Sequence, residues 1–189
     1  MFATGLFSNM VWAEDIDFPL RDKYPKVQTI ENAEMERRFS ELLIVDVRSA
    51  YEFDTLHIQN AVNIPVSEPT FVRRMKTLRE ENPEKSIVFY CNGITCKKSY
   101  TAHDRSRILG GLSNIFTYDA GVFHWANAYP EQTILLNKPL SEGGSLLSKE
   151  IFNSHLLEPK AFSKSIDREE MILLDVRDVL QTDGLNLFP

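Results

Sequence analysis

Cysteine is scarce in this chain: Cys91 and Cys96 are the only two among 189 residues. Two are too few for a disulfide framework in a chain of this size. A bridge between such near neighbours would also close only a small loop, so their closeness points to a site rather than a staple. Long apolar runs are missing as well, and the longest is far too short to cross a bilayer as a helix, so no membrane span is expected. Basic runs are absent. The net charge is −6, from 27 acidic and 21 basic residues, which argues against nucleic acid as a partner. The four histidines, at positions 57, 103, 124 and 155, lack metal-ligand spacing. Neither a metal nor another cofactor is expected.

Charge is also missing from Met1 to Ala13, which is apolar until Glu14 and Asp15. Val11-Trp12-Ala13 loosely resembles a signal-peptide cleavage site, but no basic segment precedes it. The stretch reads either as a signal-peptide remnant or as an N-terminal arm, and the compartment, periplasmic or cytoplasmic, depends on which. The remaining composition, 43% hydrophobic and 25% charged, is that of a globular chain.

The rest of the chain punctuates into short elements. Leu43 to Val47 (LIVDV) is a buried strand by its unbroken apolar run, and Ala61 to Pro65 is a second, ended by proline. Pro69 to Glu81 carries Phe71, Val72, Met75 and Leu78 at helical spacing and stops at Asn82-Pro83. Ser86 to Tyr90 (SIVFY) is strongly strand-like. Ser99 to Leu109 reads as a helix ended by Gly110-Gly111, and Ile115 to Tyr118 as a further strand. Strands alternating with helices predict an α/β fold with a parallel sheet flanked by helices.

In such sheets ligands sit outside the carboxyl ends of the strands, and Cys91 stands there, one residue past SIVFY. The loop runs Cys91, Asn92, Gly93, Ile94, Thr95, Cys96, Lys97, Lys98 and then Ser99. A helix N-terminus and clustered backbone N–H groups favour a thiolate, and the thiolate is the nucleophile. Gly93 permits the dihedrals of a tight loop. Lys97 and Lys98 add positive charge that would hold an anion such as thiosulfate, phosphate or arsenate. The alternative is a buried structural thiol, since cysteine is often buried. Cys96 reads either as a thiol that resolves an oxidised Cys91 or as a small apolar residue at the helix start.

These residues resemble the rhodanese-like superfamily over roughly Val27 to Leu136. The resemblance rests on Asp46-Val47-Arg48, Glu52-Phe53, His57-Ile58, Ala61-Val62-Asn63-Ile64-Pro65, Tyr90-Cys91 with its loop, and Ala120-Gly121 with Trp125 and Pro130. It implies a mostly parallel five-stranded sheet between helices. It also implies that Cys91 takes a sulfane sulfur as a persulfide cradled by the loop backbone and passes it to a thiol or protein acceptor. Asp46, Arg48 and Glu52 read as structural support, with Arg48 paired to Glu52. His57 reads as a scaffold residue and Trp125 as a core anchor. The loop departs from the family pattern: six residues separate Cys91 from Lys98, and the cation there is lysine.

Three units are expected: an arm (1–26), the rhodanese-like unit (27–137) and a C-terminal extension (138–189). In the extension, Met171-Ile172-Leu173-Leu174-Asp175-Val176-Arg177 echoes Leu42 to Arg48, and Leu185 to Pro189 loosely echoes Val62 to Pro65. The extension therefore resembles the opening of a second such module. Its apolar strand would need cover, from the first unit's sheet edge or from a second copy in a homodimer. The expected function is a thiosulfate or persulfide sulfurtransferase. The alternatives are a sulfur carrier, a cysteine-dependent phosphatase or arsenate reductase, and a Cys91–Cys96 redox switch. An oxyanion enzyme would want an arginine fork where Lys97 stands.

Overall fold

The structure is a computed structural model that describes residues 17–142, 147, 149–166 and 170–174. Four strands form a parallel sheet in the order β3-β1-β4-β5: β1 (Leu43–Asp46), β3 (Val62–Asn63), β4 (Ile87–Tyr90) and β5 (Ile115–Tyr118). β1 lies beside β4 with Leu43 opposite Ile87 and Asp46 opposite Tyr90, and Ile87 lies opposite Ile115 on β5. Parallel sheets covered on both faces want apolar residues at every position, and every residue of β4 is buried. That is why SIVFY is so strand-like in the sequence.

The fifth strand implied by the family resemblance is reduced to a single bridge, Thr29 to Thr117, on the outer side of β5. The physical reason is local. Val27 closes a turn onto Tyr24, and Glu31 already caps the helix α1 (Asn32–Arg37). Only Gln28 to Ile30 are left to pair, through Thr117 N–H to the Gln28 carbonyl (2.8 Å) and Ile30 N–H to the Thr117 carbonyl (3.0 Å).

The pleat sends alternate β4 side chains into two cores. Val88 and Tyr90 join Ile44, Tyr118 and Trp125 on one face. Ile87, Phe89 and Cys91 join Val45, Val47, Phe71, Met75 and Ala102 on the other. Burying each such side chain contributes about 1.5–3 kcal/mol. The second face is covered by α3 (Phe71–Glu81), which buries Phe71 and Met75, and by α4 (Lys98–Ile108), which buries Tyr100 and Ala102. The stop expected at Gly110-Gly111 is present. Gly111 has φ +70, and the N–H of Leu112 returns to the Ser106 carbonyl at 3.1 Å, closing α4 with a left-handed residue.

A second, antiparallel sheet was not expected. β2 (Leu56–Ile58) follows α2 (Ala50–Thr55) directly and pairs with β6 (Thr133–Leu135), which pairs with β7 (Lys138–Pro139). Trp125, on α5 (Gly121–Ala128), is a core anchor. It is fully buried, stacked on Phe39 at 5.4 Å and edge-on to Tyr118 at 5.7 Å. His57 is a scaffold residue: its Nδ1 lies 2.7 Å from the Phe53 carbonyl and its ring stacks on Phe53.

The extension contributes two short helices, α6 (Lys149–Ser154) and α7 (Pro159–Ser165), which leave Ile151, Phe152 and Phe162 exposed. The strand expected over Met171–Arg177 does not form at Met171–Leu174, which are exposed and pair with no described strand. A lone strand has no ladder to satisfy its backbone. Asp175 to Arg177, Leu185 to Pro189 and Met1 to Ala13 lie outside the described residues.

Candidate active site

Cys91 leaves the carboxyl end of β4, between β1 and β5, and its side chain turns toward α3 and α4. The loop then folds back in a tight turn, with Cys96 N–H on the Gly93 carbonyl at 2.9 Å, and enters α4 at Lys98. Cys91 and Cys96 are both free thiols. Cys91 is fully buried (0% exposed), with its Sγ 3.3 Å from the Cys96 carbonyl and 3.5 Å from Ser99 Oγ. Cys96 is half-buried, as are Asn92, Gly93, Ile94 and Lys98, while Thr95 and Lys97 are exposed.

The helix and loop field expected around Cys91 is felt most strongly at the other sulfur. Burial pushes the Cys91 thiol up, and Cys96 reinforces this while Ser99 opposes it. The hydrogen bond from Cys91 pulls the Cys96 thiol down to about 6, against burial. The Lys98 and Asn92 N–H groups and the Lys98 charge assist. Cys96 therefore loses its proton first, while Cys91 stays a thiol that donates to the Cys96 carbonyl. Cys96 is therefore expected to react first with iodoacetamide, with a midpoint near pH 6. Removing the Cys91 donor in Cys91→Ala is expected to move that midpoint upward. A Cys96 midpoint at an ordinary thiol value in the unmodified chain would contradict this order of deprotonation.

Asp46, Arg48 and Glu52 are brought together beneath the loop, but in a different pairing from the one expected. Arg48 pairs with Asp46, Nη2 to Oδ2 at 2.6 Å, both groups essentially buried. It also donates to the Leu56 carbonyl (2.5 Å) and to Asn92 Oδ1 (3.0 Å). Glu52 instead closes the capping box of α2 with Ser49. Its Oε1 accepts from Asn92 Nδ2 (2.9 Å) and its Oε2 lies 3.3 Å from Lys98 Nζ. Sequence reading missed the box because Arg48 offered an obvious charge partner four residues away. Burial works against the Glu52 anion, but Asn92, Ser49 and the Lys98 charge outweigh it and hold the carboxyl down at about 2. The charge of Lys98 is thus engaged by Glu52, and Asn92 is clamped between Arg48 and Glu52.

The glycine on which the loop depends is Gly121 rather than Gly93. Gly93 has no left-handed φ, and a Cβ there would meet its nearest neighbour, the Ala120 carbonyl oxygen, at an ordinary 3.5 Å. Gly121 has φ +74, and a Cβ there would fall 2.4 Å from Gly93 N and 2.5 Å from the Asn92 carbonyl. This approach lets the first N–H groups of α5 hold the loop: Val122 donates to the Cys91 carbonyl (2.9 Å) and Phe123 to that of Asn92 (3.4 Å). The only sequence signal for this role was the Ala120-Gly121 pair. Among the described residues, no cluster of His, Cys, Asp or Glu is arranged to hold a metal ion.

Comparison with known proteins agrees with this architecture. The rhodanese-like domain model matches residues 31–128, about half of the chain, and the chain belongs to that family. Among similar proteins is the tRNA uridine(34) hydroxylase of Photorhabdus laumondii, 32% identical over 96 residues, covering 48% of this chain and 25% of that protein. Its counterpart in Yersinia enterocolitica is 32% identical over 100 residues, covering 50% and 26%. This chain thus spans about a quarter of the length of these relatives. Among solved structures, the BH2092 protein of Bacillus halodurans superposes with a TM-score of 0.51 at 19% identity, over 71% of this chain and 95% of that one. The thiosulfate sulfurtransferase of Pseudomonas aeruginosa superposes with a TM-score of 0.50 at 15% identity, over 71% and 25%. At these identities the two structures speak for the fold alone.

Proposed function

We propose that the chain is a sulfurtransferase that carries sulfane sulfur on Cys91. The observation that carries this reading is a cysteine at the carboxyl end of the central strand, its Sγ 3.3 Å from the Cys96 carbonyl inside a loop held by α4 and α5. Passing the Cys91 proton to Cys96 leaves the Cys91 thiolate free to attack. It attacks the outer sulfur of thiosulfate, the S–S bond breaks, and sulfite leaves with the electron pair. An acceptor thiol or cyanide then takes the outer sulfur and restores Cys91. Dividing one transfer into two covalent steps is nucleophilic catalysis. The donor is a small anion, thiosulfate or a persulfide, for which exposed Lys97 and the loop N–H groups provide attraction. An oxyanion enzyme is disfavoured because lysine lacks the bidentate fork of arginine.

Thiocyanate formation from cyanide with thiosulfate, or with glutathione persulfide, tests the reading. Turnover with either donor is the expected result, and none with either would overturn it. Gly121→Ala is expected to lower that turnover about 100-fold, because a shift of an ångström in the loop costs that much. Gly93→Ala should cost far less, and comparable losses in the two variants would show that the α5 contact does not set the loop.

A second reading comes from the relatives, whose names specify hydroxylation of a tRNA uridine. The net charge of −6 weighs against it, since nucleic-acid binding relies on basic surface. A gel shift with tRNA at low salt separates the two readings.

A further inference from the structure

We propose that Cys96 is the exit thiol of this site, taking the sulfane sulfur from Cys91 and presenting it to acceptors too bulky to reach the buried cysteine. The inference rests on the sulfurtransferase reading and assigns that activity a second sulfur-bearing residue. Three observations support it. Cys91 is buried in the core beside Phe89 and Ala102, whereas Cys96 is only partly buried at the edge of that cluster. Cys96 packs against the buried cluster that holds Cys91, and Cys91 Sγ donates to the Cys96 carbonyl at 3.3 Å. Cys91, then the Lys98 and Asn92 backbone and the Lys98 charge, hold the Cys96 thiol below its ordinary range, so negative charge is stabilised there rather than at buried Cys91.

The step balances without an added reactant. The Cys96 thiolate attacks the outer sulfur of the Cys91 persulfide, Cys91–S–SH. The S–S bond to Cys91 breaks and its electron pair stays on Cys91 Sγ. The proton travels with the transferred sulfur, giving Cys96–S–SH. An acceptor thiolate then attacks that outer sulfur, becomes the persulfide itself and releases the Cys96 thiolate. A more acidic thiol is the better leaving group in such exchanges, so the lowered pKa of Cys96 favours this last release. The competing course is attack on Cys91 Sγ, which would expel hydrosulfide and leave a Cys91–Cys96 disulfide.

The test loads the full chain with thiosulfate, then traps it with iodoacetamide and locates the added sulfur by peptide fragmentation. The expected result is persulfide on both Cys91 and Cys96, none on Cys96 in Cys91→Ser or Cys91→Ala, and persulfide on Cys91 alone in Cys96→Ser. Cys96→Ser is also expected to lower the rate to glutathione about tenfold more than the rate to cyanide, because only the bulkier acceptor depends on the exit thiol. The relay is overturned by sulfur confined to Cys91 in the unmodified chain, by sulfur on Cys96 when Cys91 is replaced, by a Cys91–Cys96 disulfide with released sulfide, or by equal losses to both acceptors. Persulfide on neither cysteine would overturn the relay, and with no thiocyanate from either donor the sulfurtransferase reading as well. Persulfide on Cys91 alone would leave that reading standing.

Discussion

Cys91→Ser is expected to abolish thiocyanate formation, lowering the rate by about a thousandfold or more, as loss of a covalent nucleophile does. A serine hydroxyl fills nearly the same space in the cluster of Val45, Phe89 and Ala102, and Ser99 Oγ remains beside it as a partner. The fold should therefore survive, and a Tm within a few degrees of the unmodified chain would separate lost chemistry from lost structure. The hydroxyl is far too weak an acid to pass its proton to Cys96, so the attacking anion never forms. Persistent turnover in Cys91→Ser would move the nucleophile to Cys96 and overturn the assignment.

Arg48→Ala is the substitution expected to damage the fold most. Its guanidinium is 2% exposed and the Asp46 carboxylate 0%. Removing the cation leaves that carboxylate buried with its counter-ion gone, and the Leu56 carbonyl loses a donor. Breaking a buried pair in this way costs about 3–5 kcal/mol. A urea titration should show the midpoint falling by a corresponding amount. Arg48→Lys restores the charge without the planar fork and is expected to recover only part of the loss. Asn92 would lose one of its two anchors in either variant, so thiocyanate formation should fall even where the chain remains folded. An unchanged urea midpoint in Arg48→Ala would show that the pair contributes nothing to stability.

Those two substitutions divide what was legible in the sequence from what was not. Cys91 could be found because a strand buried on both faces is a continuous apolar run, and the residue after it falls at the sheet's carboxyl edge. LIVDV, the stripe of Phe71 and Met75, and Gly110-Gly111 were legible for equally local reasons. Arg48 was singled out, but its partner was misjudged: Asp46, two residues back, competes with Glu52, and only the turn after β1 decides between them. Gly121 was invisible as a determinant because its constraint comes from Asn92 and Gly93, which are remote in sequence. β2, β6 and β7 have two or three residues each, too few for an alternating pattern to register. The acidity of Cys96 depends first on Cys91 and then on the Lys98 and Asn92 backbone, a conjunction that no spacing rule reports.

The parallel sheet also sets how this chain must find its structure. β1 cannot pair with β4 until α2, β2, β3 and α3 have been looped out between them, and the bridge from Thr29 to Thr117 spans most of the unit. Arg21 and Asp119, which tie the start of the described chain to the residue after β5, stand 98 residues apart. Loop closure over such distances precedes any reward from the contacts, so folding should take on the order of milliseconds to seconds rather than microseconds. During that interval the apolar β4 edge stays open to other chains. Yield on refolding should therefore fall as protein concentration rises, even though the finished sheet is paired and covered.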